Sequence, residues 1–204
     1  MDRIVEVAKI VNSLDIKSLL DVGCRDVVLK SKISPEIRYA GNDLFQNKTN
    51  SVTYVGDILN IDIPDNSYEC VTALDILEHT DDPYTIFNKL DKISSTYLII
   101  NLPNCYDLKS MYKFLVQGQL GGKYKFGVTN QLDRHRWLMN YTEIKDFYTF
   151  KANELGYSLT IVPLIYGQSN NTLISKLGTL LSFIMPKRLT TASIVGVFKK
   201  KEIQ

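Results

Sequence analysis

Apolar residues recur at two spacings along the chain, and the alternation between the two spacings outlines the elements. Ile4, Val7, Ala8, Val11 and Leu14 fall three or four positions apart, which predicts an amphipathic opening helix. Short apolar runs follow at 18–22, 37–40, 52–55, 70–74 and 97–102, each ending in small or acidic residues, and these predict strands. Between the last two, Asp82 and Pro83 read as an N-cap and a first-turn proline, with Tyr84, Phe87, Leu90 and Ile93 continuing at helical spacing. The pattern lapses over 106–136, a polar, glycine-containing stretch rich in aromatics. It resumes with Thr142 as an N-cap, then Ile144, Phe147, Tyr148, Ala152 and Leu155 on one helical face, and Gly156 as terminator. Runs at 158–164 and 192–198 predict two closing strands. Strands alternating with helices predict an α/β fold with a doubly wound sheet. Segment 106–136 then becomes a cap at the carboxyl edge, where such sheets bind ligands.

Length and composition narrow this without redirecting it. The 204 residues predict one domain spanning 1–204, large enough for a core that needs no metal or disulfide staple. Hydrophobic residues make up 45% and charged residues 23%, as in ordinary globular domains, and the net charge of +2 does not select nucleic acid as partner. Cys24, Cys70 and Cys105 lie far apart, and the histidines are His79 and His135. Four clustered Cys/His ligands are missing, so no structural zinc site, and no metal, is expected. The sparse cysteines fit a reducing cytoplasm. Asp2, Arg3, Glu6 and Lys9 argue against a signal peptide at the start, and the charge-free run 177–186 is too short to span a bilayer.

The chemistry concentrates at strand ends. Leu19-Leu20-Asp21-Val22-Gly23-Cys24-Arg25-Asp26 runs from a buried strand into a turn at one glycine, and twenty positions beyond Gly23 a second strand ends in Asp43, followed by Leu44. Gly23 would let a ligand approach the backbone while Asp43 accepts hydrogen bonds from a ribose diol. Asp57 and Ile58, after a third strand, would meet an adenine edge and face. A dinucleotide needs several glycines around its pyrophosphate, but Gly23 is followed by Cys24, Arg25, Asp26 and Val27. Residues 57–91 hold nine acids against Lys89 alone. Such a cleft repels a diphosphate and suits a ligand carrying a sulfonium and an ammonium, which points to S-adenosylmethionine.

The ordered set Leu-Asp21-Val-Gly23-Cys24, Gly-Asn-Asp43, Gly-Asp57-Ile58, Pro64-Asp65-Asn66-Ser67-Tyr68 and Leu74-Asp75-Ile76-Leu77-Glu78-His79 resembles the class I S-adenosylmethionine-dependent methyltransferases, closest to their small-molecule branch. Ile100-Asn101-Leu102-Pro103-Asn104 and His135-Arg136-Trp137 extend the likeness over about residues 16 to 160. The resemblance implies a Rossmann-like, seven-stranded, three-layer fold whose last strand is antiparallel. It further implies that Asp21 and Gly23, with Cys24 and Arg25 beside them, hold the methionine end. Asp43 and Leu44 would take the ribose, Asp57 and Ile58 the adenine, and Leu74 and Asp75 would lie beside the sulfonium. Arg25 and Val27 stand where the family has glycines.

The expected activity is methyl transfer from S-adenosylmethionine to a small-molecule acceptor, a saccharide or lipid-linked intermediate being candidates. The alternative is a catalytically silent cofactor- or partner-binding module with a degenerate glycine loop; a nicotinamide oxidoreductase is a third reading. His79 is either a base or a loop-stabilising histidine, and His135 either orients the acceptor or decorates a basic lid. The cap carries six bases against two acids with aromatics interleaved, which suits an anionic acceptor; RNA is disfavoured and DNA is not expected. Segment 173–185 is either a helix packed on the sheet or a surface element in peripheral contact with a membrane.

Overall fold

The computed structural model describes residues 3–129, 131, 133–165 and 185–201. Helix α1 (Arg3–Asn12) buries Val7, Ala8 and Val11, three members of the predicted stripe. Strands β1 (Ser18–Val22), β2 (Arg38–Asp43), β3 (Tyr54–Val55), β4 (Tyr68–Leu74), β5 (Ser94–Pro103), β6 (Ser158–Ile165) and β7 (Thr191–Lys199) form one sheet in the order β3-β2-β1-β4-β5-β7-β6. Pairings among β1 to β5 are parallel, while β7 runs antiparallel to both β5 and β6. This is the seven-stranded doubly wound sheet with its last strand reversed.

The central strands read as continuous apolar runs because helices cover both their faces. Alternation along each strand divides the core in two. Leu20, Val22, Val71, Ala73, Ile100 and Phe198 pack under α2 (Pro83–Ile93) and α4 (Tyr141–Leu155). Leu19, Cys70, Ile99 and Val195 pack with α1 on the opposite face. No described helix is long and apolar enough to cross a membrane.

Several boundaries differ from the expected ones. Strand β2 continues past Ala40 through Gly41, where a Cβ would lie 2.6 Å from the Cys24 sulfur; the glycine makes room for that thiol. Strand β3 shrinks to two residues. Asp82 caps α2 as expected, accepting from the Tyr84 and Thr85 amides, but Tyr84 points outward and meets Phe147 edge-on. Helix α4 starts two residues earlier than Thr142 predicts. Asn140 is the cap, and Glu143 reaches back to its amide, closing a capping box. Within the cap, α3 (Leu108–Gln117) forms with no buried residue, although Leu108, Met111, Tyr112, Leu115 and Val116 recur at helical spacing. The run 177–186, apart from Met185 and Pro186, and segment 173–185, apart from Met185, lie outside the described residues.

Candidate active site

The sheet order reverses direction between β1 and β4, and Gly23, Asp43 and Asp75 leave the carboxyl ends of β1, β2 and β4 on that edge. Open α/β sheets bind ligands at this kind of switch point. Gly23 has φ +75°, and its amide donates to the Asn42 carbonyl at 2.8 Å. A Cβ there would fall 1.9 Å from the Ile76 Cδ1, so only glycine lets the loop after β4 come this close. Asp21 is buried, its two oxygens accepting from the Thr72 and Tyr39 hydroxyls at 2.8 Å each, and burial pushes its pKa up to about 6. Cys24 is buried with its thiol pushed up to about 12, chiefly by desolvation, which makes it an inert filler.

The two non-glycine residues of the turn keep the backbone a glycine would adopt: Arg25 has φ 48° and Val27 φ 50°. A left-handed backbone costs an L-residue roughly 1–2 kcal/mol, and a β-branched one is poorly suited to it. Val27→Gly should therefore raise stability by about 1 kcal/mol in urea unfolding, after allowing for the entropy glycine loses on folding. An unchanged midpoint would show that Val27 is not strained. The resemblance put Arg25 beside the methionine end of the cofactor. Its guanidinium meets Asp133 of the cap at 3.1 Å, while its amide donates to Asp43 Oδ2 at 2.9 Å.

Asp43 is half-buried, and its other oxygen receives only a long 3.4 Å contact from the Phe45 amide, so lone pairs remain for a ligand. Leu44, after it, is exposed. Asp57 is exposed and accepts from the Leu59 amide, an ordinary turn contact. Ile58 departs from expectation: it is buried in the core cluster, so its side chain packs inward rather than offering a face to adenine. Leu74 is half-buried at the end of β4. Asp75 has φ 57° and accepts from Asn101 Nδ2, and Arg3 of α1 pairs with it at 2.8 Å. Burial raises the Asp75 carboxyl. The Arg3 contact, which carries α1 onto the β4 tip, had no signal in the local sequence.

Beyond Asp75 a short 3-10 turn, Leu77–His79, brings Glu78 and His79 against His135 of the cap. Glu78 is 0% exposed, its carboxyl is held well above the usual range by burial, and neither carboxyl oxygen has a hydrogen-bond partner among the described residues. The Nε2 atoms of His79 and His135 each lie 3.8 Å from Glu78 Oε1, and the two rings meet edge-on at 4.5 Å. Desolvation lowers both imidazoles, His135 to about 4, so His135 is neutral and weakly basic at neutral pH. The two histidines expected separately thus belong to one cluster. Glu78, unassigned beforehand, is its centre, and these three residues could hold a metal ion.

Next to the cluster a cleft of about 270 Å³ is lined by Leu77, Leu102, Trp137, Leu138, Met139 and Phe147, with Glu143 among its polar groups. The strand-tip carboxylates suit the cationic end and ribose of S-adenosylmethionine, Asp43 keeping acceptor capacity at the tip of β2.

Comparison with known proteins agrees with this arrangement. The family described as "Methyltransferase domain" (Methyltransf_11) matches residues 14–95. No curated protein matches in sequence. Among solved structures, small RNA methyltransferase HEN1 aligns over 99% of the chain at 16% identity and TM-score 0.68, though the chain spans only 25% of that protein. A SAM-dependent methyltransferase from Archaeoglobus fulgidus aligns over 97% of this chain and 91% of its own, at 14% identity and TM-score 0.62. Phosphoethanolamine N-methyltransferase 2 from Haemonchus contortus, solved with phosphomonomethylethanolamine and S-adenosylhomocysteine, aligns over 98% of this chain and 53% of its own, at 14% identity and TM-score 0.57. Residues 14–95 thus match a methyltransferase domain, and the chain as a whole has the Rossmann-like fold of these S-adenosylmethionine-dependent methyltransferases.

Proposed function

We propose that the protein transfers a methyl group from S-adenosylmethionine to a small acceptor that combines an apolar part with an anionic one, as a lipid-linked intermediate does. The observation that carries the cofactor half is the meeting of Gly23, Asp43 and Asp75 at the β1/β4 switch point. When bound, the cofactor supplies a methyl carbon already activated by a sulfonium leaving group. The chain's own work is then alignment, worth roughly 7–11 kcal/mol of barrier in well-oriented reactions. Asp43 binds the ribose hydroxyls, the Gly23 turn and the Asp21 region hold the methionine end, and Asp75 lies near the developing neutral sulfur. Exposed Asp57 is left for the adenine edge without Ile58.

The acceptor half is supported by the apolar cleft beside Leu77 and Trp137 and by the basic cap with exposed Tyr112, Leu115 and Phe126. The small RNA methyltransferase raises a nucleic-acid acceptor as a rival, but a cleft with this lining fits an aliphatic or ring group better than a phosphate backbone. A silent module is disfavoured because the degenerate loop retains glycine-like φ at Arg25 and Val27.

Calorimetry with S-adenosylmethionine and its demethylated product tests the first half, and binding of a nicotinamide dinucleotide in their place would overturn it. Asp43→Ala should weaken cofactor binding by about 1 kcal/mol or more through the lost ribose hydrogen bonds. Unchanged affinity in the folded variant removes Asp43 from the site. Labelled-methyl transfer into fractionated extracts tests the second half: label in the organic-soluble fraction supports it, and label confined to RNA overturns it.

A further inference from the structure

We propose that Glu78, His79 and His135 form a binding site for one divalent transition-metal cation at the junction of sheet and cap. The ligand atoms are Glu78 Oε1 and the Nε2 atoms of the two histidines.

Glu78 carries the argument. A fully buried carboxyl group with no donor on either oxygen is costly, since buried charges persist where they are paired or coordinate a metal. No lysine or arginine forms an ion pair with it among the described residues; its near neighbours are the two imidazoles. His79 is presented as a ligand rather than as a hydrogen-bond donor to it, and His135 Nδ1 has no partner among the described residues that would fix its tautomer. His79 Nδ1 lies 3.0 Å from the Arg134 carbonyl oxygen, so Nδ1 carries the proton and the Nε2 lone pair faces Glu78. Metal-bound histidines are oriented by the same kind of backbone contact.

The dimensions agree. The three ligand atoms lie within 4.8 Å of one another, and both Nε2 atoms stand 3.8 Å from Oε1. Two bonds of ~2.0–2.1 Å at a tetrahedral angle place ligand atoms ~3.4 Å apart, so each carboxylate–imidazole pair closes by about 0.4 Å and the widest pair by up to about 1.4 Å, within reach of side-chain rotation. The frame is also held from outside. The Arg136 and Trp137 amides donate to the Glu78 carbonyl at 2.7 and 3.2 Å, and the His135 amide donates to the Lys123 carbonyl at 3.1 Å. Backbone contacts thus bring the cap's histidine to the turn after β4 whether or not an ion is present.

Two imidazoles and one carboxylate suit zinc, manganese, iron, cobalt or nickel better than calcium, which prefers oxygen ligands. Three protein ligands leave coordination positions open, as in catalytic rather than structural sites. The expectation of no metal came from counting Cys and His alone. A carboxylate-centred set escapes that count. A cation here would also hold the two Nε2 lone pairs, so neither histidine would act as the acceptor's base. The proposal rests on the cluster's geometry and does not depend on the methyl-transfer reading.

The test uses the full chain, stripped with a chelator and titrated with cobalt(II) by visible absorption and with zinc(II) by calorimetry. One equivalent of cobalt with intensified d–d bands, and one of zinc, are expected. Glu78→Gln, which keeps the side chain's size, and His135→Gln should each weaken zinc binding at least ~100-fold. Both should keep the parent's far-UV circular dichroism. Failure of the parent to take up either metal stoichiometrically overturns the proposal, as does uptake that neither substitution changes. Binding of S-adenosylhomocysteine, measured separately, reports on the strand tips, so the two readings fail independently.

Discussion

At about pH 7.5 the Asp21→Asn variant should be more stable than the parent by about 3 kcal/mol, and the two should converge near pH 4. Asp21 sits inside β1 with its oxygens on Thr72 and Tyr39, and burial raises its pKa from 3.8 to about 6. The folded state therefore binds the Asp21 proton more tightly than the unfolded chain does. The resulting stability is fully present below the unfolded value and is lost as pH rises through the folded one. At about 1.4 kcal/mol per pH unit, the interval corresponds to about 3 kcal/mol above pH 6. Asparagine does not titrate and keeps partners for both hydroxyls, so it avoids the loss. Urea unfolding at both pH values checks this, and equal stability of the two proteins at about pH 7.5 would reject it. A carboxylate retained at such a disadvantage fits a binding role, so the same variant should bind the cofactor more weakly.

Tyr148→Ala should destabilise the fold by roughly 3–5 kcal/mol, the largest loss expected of a single substitution here. The ring is fully buried on α4, edge-on to Phe198, and it lies over Gly196 of β7, where a Cβ would come within 2.8 Å of it. Its hydroxyl donates to the Ile100 and Ile194 carbonyls at 3.0 and 3.1 Å, one on β5 and one on β7. One side chain thus fills the space over the antiparallel junction and ties its two strands. Tyr148→Phe should lose only about 1 kcal/mol, because the packing survives and the hydrogen bond does not. Equal losses for the two variants would show that the hydroxyl, not the ring, holds the junction.

Much of the framework was legible because its signals are local. β1 coincides with its apolar run at 18–22, and β4 extends its run by two residues. Asp82 and Gly156 cap the helices they were assigned to, since a cap depends on residues one turn away. The α4 start was misplaced although Asn140 and Glu143 carry the capping-box spacing; Thr142, a good cap by type, masked it. Helix α3 was missed although Leu108, Met111, Tyr112, Leu115 and Val116 recur at helical spacing, because the polar, glycine-containing stretch around it masked the period. Gly23, Asp43 and Asp75 lie at the strand ends where the sequence put them, whereas Ile58 is buried in the core cluster, because a residue after a strand can turn toward core or cleft with the same sequence.

By itself the amino-acid sequence determined the order of strands and helices, the glycine turn after β1 and the acidic strand tips. Those follow from hydrophobic period, turn chemistry and spacing within a few residues. Tertiary structure alone decided that Arg3 meets Asp75, that Arg25 meets Asp133, and that Glu78, without a hydrogen-bond partner among the described residues, lies against His79 and His135. Each of these pairings, His79 with Glu78 apart, joins residues dozens of positions apart whose approach is set by how the whole core packs. No short-range pattern selects it, because the free energy that brings the segments together belongs to the sheet and helices carrying them rather than to the pair itself.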